Sequence, residues 1–98
     1  MNQLVLSARI AEAKALRYTP AGLPAIDLLL DHESEALEAG QQRQVKVEVK
    51  AVAFGATAET LARQAVGTAF RFTGFIAAAR GGKHPVLHIQ SFQQESNS

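Results

Sequence analysis

A strict alternation of apolar and charged residues near the middle of the chain constrains the fold more than any other feature. Residues 45–50 read Val-Lys-Val-Glu-Val-Lys, so three valines alternate with three charged side chains. Successive side chains of a strand point to opposite faces, and a period of two therefore predicts a β-strand with one buried and one solvated face. Residues 51–54 are apolar and continue this strand.

Four other segments carry strand signals and are separated by turn residues. These segments are residues 4–13, 25–30, 68–76 and 86–92, each with apolar residues that alternate or form a short run. Residues 19–24 contain two prolines and a glycine and predict a turn, because proline fixes φ and glycine permits positive φ. Residues 80–85 contain Gly-Gly before a proline and predict a hairpin tip.

The remaining segments predict a helix, a loop and a tail. Residues 57–66 contain helix-forming residues, with Thr57 as the expected N-cap and Gly67 as the expected C-cap. Residues 33–44 are polar and predict a mobile loop, although residues 34–39 also suit one helical turn. The polar end of the chain predicts a frayed tail over residues 94–98.

The predicted order of elements is three strands, one helix and two strands. This is the order of the OB-fold, so we expect an all-β, five-stranded Greek-key barrel with a short helix between strands 3 and 4. Gly74 inside the fourth strand predicts a bulge or tight bend, which suits barrel closure. A chain of 98 residues suits a single domain over residues 1–98. A generic α+β sandwich is the structural alternative.

The composition excludes several classes of protein. Cysteine is absent, which removes disulfides and thiolate metal sites. No apolar run approaches the roughly 20 residues that span a bilayer, and the first residues lack the positive segment of a secretory signal. We therefore expect a soluble, cytoplasmic protein with no membrane partner.

No constellation of catalytic or metal-binding residues stands out. His84 and His88 flank a proline on a predicted strand, where residues four apart lie about 13 Å from each other. They cannot share a metal ion within one chain. Neither the Gly-x-Ser-x-Gly motif nor the phosphate-binding Gly-x-x-x-x-Gly-Lys-Ser/Thr motif is present. The sequence therefore predicts a protein without catalysis, metal or cofactor.

The distribution of charge is more informative than the net charge of +1. Residues 27–38 contain five of the nine acidic residues and no lysine or arginine. The remaining chain carries ten Lys and Arg residues against four acids. A basic body of this kind suits a polyanion-binding face, and an ordinary mixed surface is the alternative.

The basic residues fall on the elements that OB-folds use for binding, which are the second and third strands, the first loop and the last hairpin. Candidate contacts to single-stranded DNA are Arg17, Tyr18, Arg43, Lys46, Lys50, Arg71, Arg80, Lys83 and His84. Tyr18 is the main candidate for base stacking, and Phe75 and Phe92 are weaker ones. With aromatic residues at only 6%, we expect electrostatic attraction to outweigh stacking.

The chain also resembles the primosomal replication protein N (PriB) family of bacterial replication-restart proteins, from residue 2 to about residue 93. The resemblance depends on the order and spacing of several short segments. These are residues 2–7, 19–24, 30–34, 38–44, 67–68, 73–76 and 86–88.

The resemblance implies a homodimer of OB-folds that binds single-stranded DNA with little sequence preference and has no catalytic activity. It implies the restart helicase PriA as a partner, and in some relatives DnaT, during reloading of the replicative helicase at stalled forks. The family's DNA-binding cations match Arg17, Arg80 and Lys83. Lys46 stands where some relatives place a stacking aromatic, and Glu33 where some place a cation.

Two other functions stay open at the level of sequence. The modest net charge and the few aromatics are also compatible with an OB module that binds proteins and contacts nucleic acid only incidentally. An RNA-binding OB domain is the third possibility, because only local contacts distinguish the 2′-hydroxyl.

Overall fold

Six strands and one helix make up most of the residues that the computed structural model describes, which are 1–79 and 81–95. In chain order the elements are β1 (Leu4–Ala13), β2 (Arg17–Tyr18), β3 (Pro24–Glu38), β4 (Gln41–Phe54), α1 (Ala56–Ala62), β5 (Ala69–Ala78) and β6 (Pro85–Gln94). Arg80, a predicted DNA contact, and residues 96–98 of the predicted tail lie outside the described residues. Within the described part of the chain, no helix is long and apolar enough to cross a membrane.

The strands close into a barrel because β1 pairs with two different neighbours. Its first half pairs antiparallel with β5 and its second half, from Arg9 onward, pairs antiparallel with β3. The order around the barrel is β1-β5-β6-β4-β3 and back to β1, with β2 added beside β3. With α1 between β4 and β5, this closure confirms the predicted five-stranded OB-fold barrel and excludes the α+β sandwich.

Alternation along the strands determines which side chains fill the barrel. Phe70 and Phe72 on β5 and Leu87 on β6 point inward and are at most 5% exposed. Ala58 and Leu61 of α1 pack against the same core. Burying one large apolar side chain contributes about 1.5–3 kcal/mol, so this cluster is the main source of stability for a small domain.

The predicted mobile loop over residues 33–44 is wrong. β3 and β4 pair without interruption from Ala25 opposite Phe54 to Glu38 opposite Gln41. The chain reverses at Ala39 and Gly40, which both have positive φ (52° and 78°), as the two central residues of a tight hairpin require. Beyond Asp31, β3 pairs only with β4, so residues 32–47 form a two-stranded ribbon, which we name the β3–β4 arm.

The predicted caps of the helix are also wrong. The N-cap is Gly55, with φ 70° and ψ −141°, and its N–H donates to the carbonyl of Pro24 at 2.8 Å. The C-cap is Arg63, so the helix ends well before Gly67. Because the chain leaves β4 through a sharp turn that glycine tolerates, α1 begins before Thr57.

Gly74 produces the predicted irregularity. The register between β5 and β6 shifts between Thr73 and Gly74, and a Cβ atom at Gly74 would lie 1.8 Å from the carbonyl oxygen of His88. Only glycine allows the two backbones to approach this closely. At the far end of β6, Gln94 still pairs with Phe70, so the strand continues into the segment predicted as tail.

Candidate nucleic-acid interface

The strand register places three of the predicted DNA contacts on one surface, the side of β2, β3 and β4 that points away from the barrel interior. We name it the outer face. Lys46 and Lys50 lie on this side of β4, opposite Glu33 and Leu29 of β3. Arg17 of β2 lies opposite Ala25 and reaches the same side. The outer face therefore combines cations from two strands that are far apart in sequence. The same register also brings carboxylates to this side, those of Asp27, Asp31, Glu33 and Glu48.

Arg17 is held by a two-point ion pair with Asp27 of β3. The guanidinium Nε donates to Oδ2 at 2.7 Å, and Nη2 donates to Oδ1 at 3.2 Å. The hydrogen bond from Arg17 is the main reason that the pKa of Asp27 lies below its ordinary value. The two side chains are 48% and 38% exposed, so the pair faces solvent. The next residue, Tyr18, is 64% exposed.

The two lysines of β4 have different surroundings. Lys46 Nζ lies 3.7 Å from Glu33 Oε1, with both side chains more than 60% exposed. Lys50 is exposed and forms no ion pair within the described residues. Lys50 is therefore free to bind an anion directly. Lys46 must first release the carboxylate of Glu33.

The hairpin between β5 and β6 lies at the border of the outer face. Its turn is closed by Ala79 N–H donating to the carbonyl of His84 at 2.7 Å. Because β6 runs parallel to β4, this tip lies toward the Lys46 end of β4. Lys83 and His84 on the tip are exposed.

The structure does not bring Arg43 and Arg71 to the outer face. Arg43 lies opposite Ala36 on the other side of the β3–β4 arm, and its Nη1 is 2.5 Å from Glu38 Oε1. Arg71 of β5 lies between Ser7 of β1 and Gln93 of β6, on a different side of the barrel. Arg43 is separated by strand alternation, because it lies an odd number of residues from Lys46 on β4, a segment predicted as loop up to residue 44. Arg71 is separated by the barrel's curvature, which decides which side β5 faces.

An open groove of about 730 Å³ overlaps the Lys46 end of the outer face. It lies where the arm leaves the barrel beside β1. Its charged lining residues are Arg9, Asp31, Glu33, Lys46, Glu48 and Glu95. Four carboxylates against two cations make this end of the outer face less favourable to a phosphate backbone than the end with Arg17 and Lys50.

His32 fixes the base of the arm at this groove. Its Nδ1 lies 2.7 Å from the backbone carbonyl of Ser7, which can only accept, so Nδ1 carries the proton. In the neutral ring, Nε2 then accepts from the hydroxyl of Ser34 at 2.8 Å. Nδ1 therefore joins the arm to β1, and Nε2 is held by Ser34 of the same strand.

The aromatic residues divide between the core and the surface. Phe92 packs edge-on against Phe70, with ring centroids 5.0 Å apart and planes at 82°, so its partly buried position against the core argues against base stacking. Phe75 is on the outside of β5 and stacks on His88. Phe54 and His88 were not candidates from the sequence, since only the pairing of β4 with β6 places them together.

An OB-fold barrel with exposed cations gathered on the outer side of its second and third long strands defines the class of OB-fold binding proteins. Residues 2–91 match a family described as "another single-strand binding protein family". The chain is 48% identical to the replication restart protein PriB of Bordetella pertussis, over 100% of this chain and 92% of that protein. The chain belongs to the replication restart protein PriB family, as the resemblance predicted.

Solved structures agree with this assignment. The PriB structure from Ralstonia solanacearum matches with a TM-score of 0.90 and 38% identity, over 98% of this chain and 99% of that chain. The single-stranded DNA-binding protein of Thermus aquaticus is 21% identical and matches with a TM-score of 0.78, over 99% of this chain and 51% of that one. At this low identity, the second match shows the shared fold alone.

Proposed function

We propose that this chain binds single-stranded DNA on the outer face, without sequence preference and without catalysis, as a component of bacterial replication restart. The observation that carries the proposal is the common placement of Arg17, Lys46 and Lys50, with the β5–β6 tip at their border. Cations on one face can follow successive phosphates of a flexible strand. Phosphate contacts carry no sequence information, so this mode of binding is sequence-tolerant.

The ion pairs on the outer face set how the strand would enter. Arg17 and Lys46 are both paired with carboxylates in exposed positions. An exposed ion pair contributes only about 0–1 kcal/mol, so a phosphate replaces the carboxylate at small energetic cost. Lys50 binds first because it has no carboxylate to release within the described residues, and the paired cations follow.

The family supports a wider role in the cytoplasm. By analogy with the replication restart proteins that it resembles, the chain binds the restart helicase PriA on DNA and assists reloading of the replicative helicase, with DnaT as an additional partner in organisms that have it. Arg80, outside the described residues, and the hairpin residues Lys83 and His84 are included in the proposed DNA contacts. Arg43 and Arg71 contact DNA only if the strand continues around the barrel.

A homodimer is part of the proposal. Residues 4–8 of β1 pair with β5 on one edge, whereas pairing with β3 begins only at Arg9 among the described residues. Val5 on this segment is 57% exposed. An unpaired edge with an exposed apolar residue is a suitable place for a second copy to add its own strand. Sedimentation at micromolar concentration tests this, and a monomer would contradict it.

Fluorescence anisotropy with a labelled oligonucleotide tests DNA binding. We expect binding to single strands to exceed binding to duplex, and the logarithm of the affinity to fall with the logarithm of salt with a slope of about −0.7 per phosphate contact. Alanine at Arg17, Lys46 or Lys50 should weaken binding and flatten the slope. Arg63→Ala, which removes one exposed charge at the end of α1, is the matched control. Salt-independent binding would contradict the proposal.

One observation favours a protein-binding module as the second candidate. Arg17, Arg43, Lys46 and Arg71 are all paired with carboxylates, which reduces the positive potential that a strand would meet. If that function is correct, a triple alanine variant of Arg17, Lys46 and Lys50 captures PriA as well as the unmodified chain does. Competition between DNA and RNA oligonucleotides of one sequence tests the RNA-binding alternative.

A further inference from the structure

Three rings form a row on the outside of the barrel, across β4, β6 and β5. Phe75 and His88 are direct partners in the β5–β6 ladder, with ring centroids 4.9 Å apart and planes at 14°. Phe54 lies on the other side of His88, with ring centroids 6.0 Å apart and ring planes at 32°. The imidazole therefore lies between the two phenyl groups, nearly parallel to Phe75 and tilted from Phe54.

The row does not belong to the hydrophobic core. The core contains Phe70 and Phe72, which are the inward-facing residues of β5, and Leu87, which precedes His88 on β6. Phe54 is 38% exposed, and Phe75 and His88 are each partly exposed. Solvent therefore reaches a line of aromatic side chains that packing of the barrel does not require.

The backbone is shaped to hold this row. At the bulge beside Phe75, Gly74 lets β5 approach the carbonyl of His88 so closely that a Cβ atom would clash. On the edge of β6 away from β5, β4 pairs with β6 in parallel, and Val52 lies opposite His88. Phe54, two residues further along β4, then points to the same side as Val52.

The row adjoins the proposed DNA-binding cations. Lys50 and Phe54 occupy the same side of β4, and Phe54 lies opposite Ala25, which in turn lies opposite Arg17. Cations next to a line of rings are the two parts that bind a single strand, since cations neutralise phosphates and rings stack on bases. At the position of Lys46, where the family resemblance implied a stacking aromatic in some relatives, this chain has a charge instead.

We propose that Phe54 and Phe75, with His88 holding the space between them, form a base-stacking site for unpaired nucleobases of a strand whose phosphates bind Arg17 and Lys50. This inference depends on the proposed function, because it assigns a place to the bases of the same strand. Stacking would be sequence-tolerant, since every base has a π-face.

The test compares two oligonucleotides of equal length and charge, one of thymidines and one with abasic residues throughout. We expect wild-type protein to bind the thymidine strand more tightly. Phe54→Leu and Phe75→Leu should each reduce that affinity by about tenfold and leave the affinity for the abasic strand unchanged. Phe75→Tyr, which keeps the ring, should retain wild-type affinity. Val66→Ala, at an apolar position that is 62% exposed after α1, is the control.

The possible failures can be told apart. If wild-type protein binds neither strand at low salt, the proposed function itself is wrong. If wild-type protein binds both strands equally, the cationic face stands and the stacking site is wrong. The same conclusion follows if the leucine variants keep both their affinity for the thymidine strand and their preference for it over the abasic strand. If the leucine variants weaken binding to both strands and lower Tm, the rings serve only to stabilise the sheet, which also overturns the site.

A second measurement does not depend on loss of binding. The chain contains no tryptophan, so Phe54→Trp gives a single indole at the end of the row. We expect thymidine strands to quench its fluorescence on stacking and abasic strands to leave it largely unchanged. Equal responses to the two strands would contradict the site even if every leucine variant failed to fold.

Discussion

Asp27 holds both Nε and Nη2 of Arg17, at 2.7 and 3.2 Å, in the middle of the surface proposed to bind DNA. A carboxylate in this position presents two oxygens to the guanidinium, as a phosphate does. In the proposed mode of binding, a phosphate at Arg17 therefore exchanges one anion for another. We expect the acidic residues of β3 to limit affinity for that reason.

Replacing Asp27 by Asn should strengthen binding to single-stranded DNA several-fold, because Arg17 loses its charged partner and the face gains one unit of positive charge. Anisotropy at fixed salt measures this. Glu59→Gln in α1 changes the net charge equally but removes no ion pair among the described residues, so it is the matched control. Equal gains in the two variants would mean that only overall charge matters.

The same pair predicts a dependence of stability on pH. Arg17 lowers the pKa of Asp27, so the carboxylate stabilises the folded chain at pH values above its ordinary pKa of about 3.9. That contribution is lost as the pH falls through the folded pKa. Because both side chains are over a third exposed, it should be below about 1 kcal/mol.

Thermal unfolding between pH 7 and pH 2 measures this effect. Wild-type protein should be slightly more stable than Asp27→Asn at neutral pH, and the difference should vanish toward pH 2. A difference that stays constant over this range would mean that Asp27 acts through packing or neutral hydrogen bonds and not through its charge.

Gly74→Ala should destabilise the chain by about 2 kcal/mol or more, because the added methyl group meets the backbone carbonyl of His88, which cannot move without opening the sheet. Urea unfolding measures the loss. Thr73→Ala, at the preceding position, is the control and should cost much less. Unchanged stability of the Gly74 variant would mean that β5 and β6 are further apart than described.

Phe92→Ala should mainly reduce stability, since its ring packs against Phe70 and Phe72. Truncation of a large, partly buried aromatic of this kind costs roughly 2–4 kcal/mol. At a temperature where the variant is folded, its DNA affinity should match that of wild-type protein. A selective loss of affinity with unchanged Tm would move Phe92 from the core to the interface.

The β3–β4 arm illustrates what could not be predicted locally. Residues 33–38 contain helix formers and acids that suit a loop as well as a strand. Their strand conformation depends on cross-strand partners, such as Lys46 opposite Glu33 and Arg43 diagonal to Glu38. Those partners are identified only once the turn at Ala39 and Gly40 sets the register.

The interface shows a similar division. The sequence predicted which residues are basic and which elements would carry them, and the structure brings Arg17, Lys46 and Lys50 to one side. It separates Arg43 and Arg71 from that side and packs Phe92, partly buried, against the core. The row of Phe54, His88 and Phe75 was not recognised, because its members come from three strands.

By itself, the sequence determined the strand periodicity, the helix between the third and fourth long strands, the glycine at the bulge and the family. These depend on local spacing and on short segments read in order. Only the tertiary structure decided which cations share a face, which carboxylates form ion pairs with those cations and which aromatic rings contact each other. Those relationships depend on strand register and barrel closure, where a shift of one residue sends a side chain to the opposite side of the sheet.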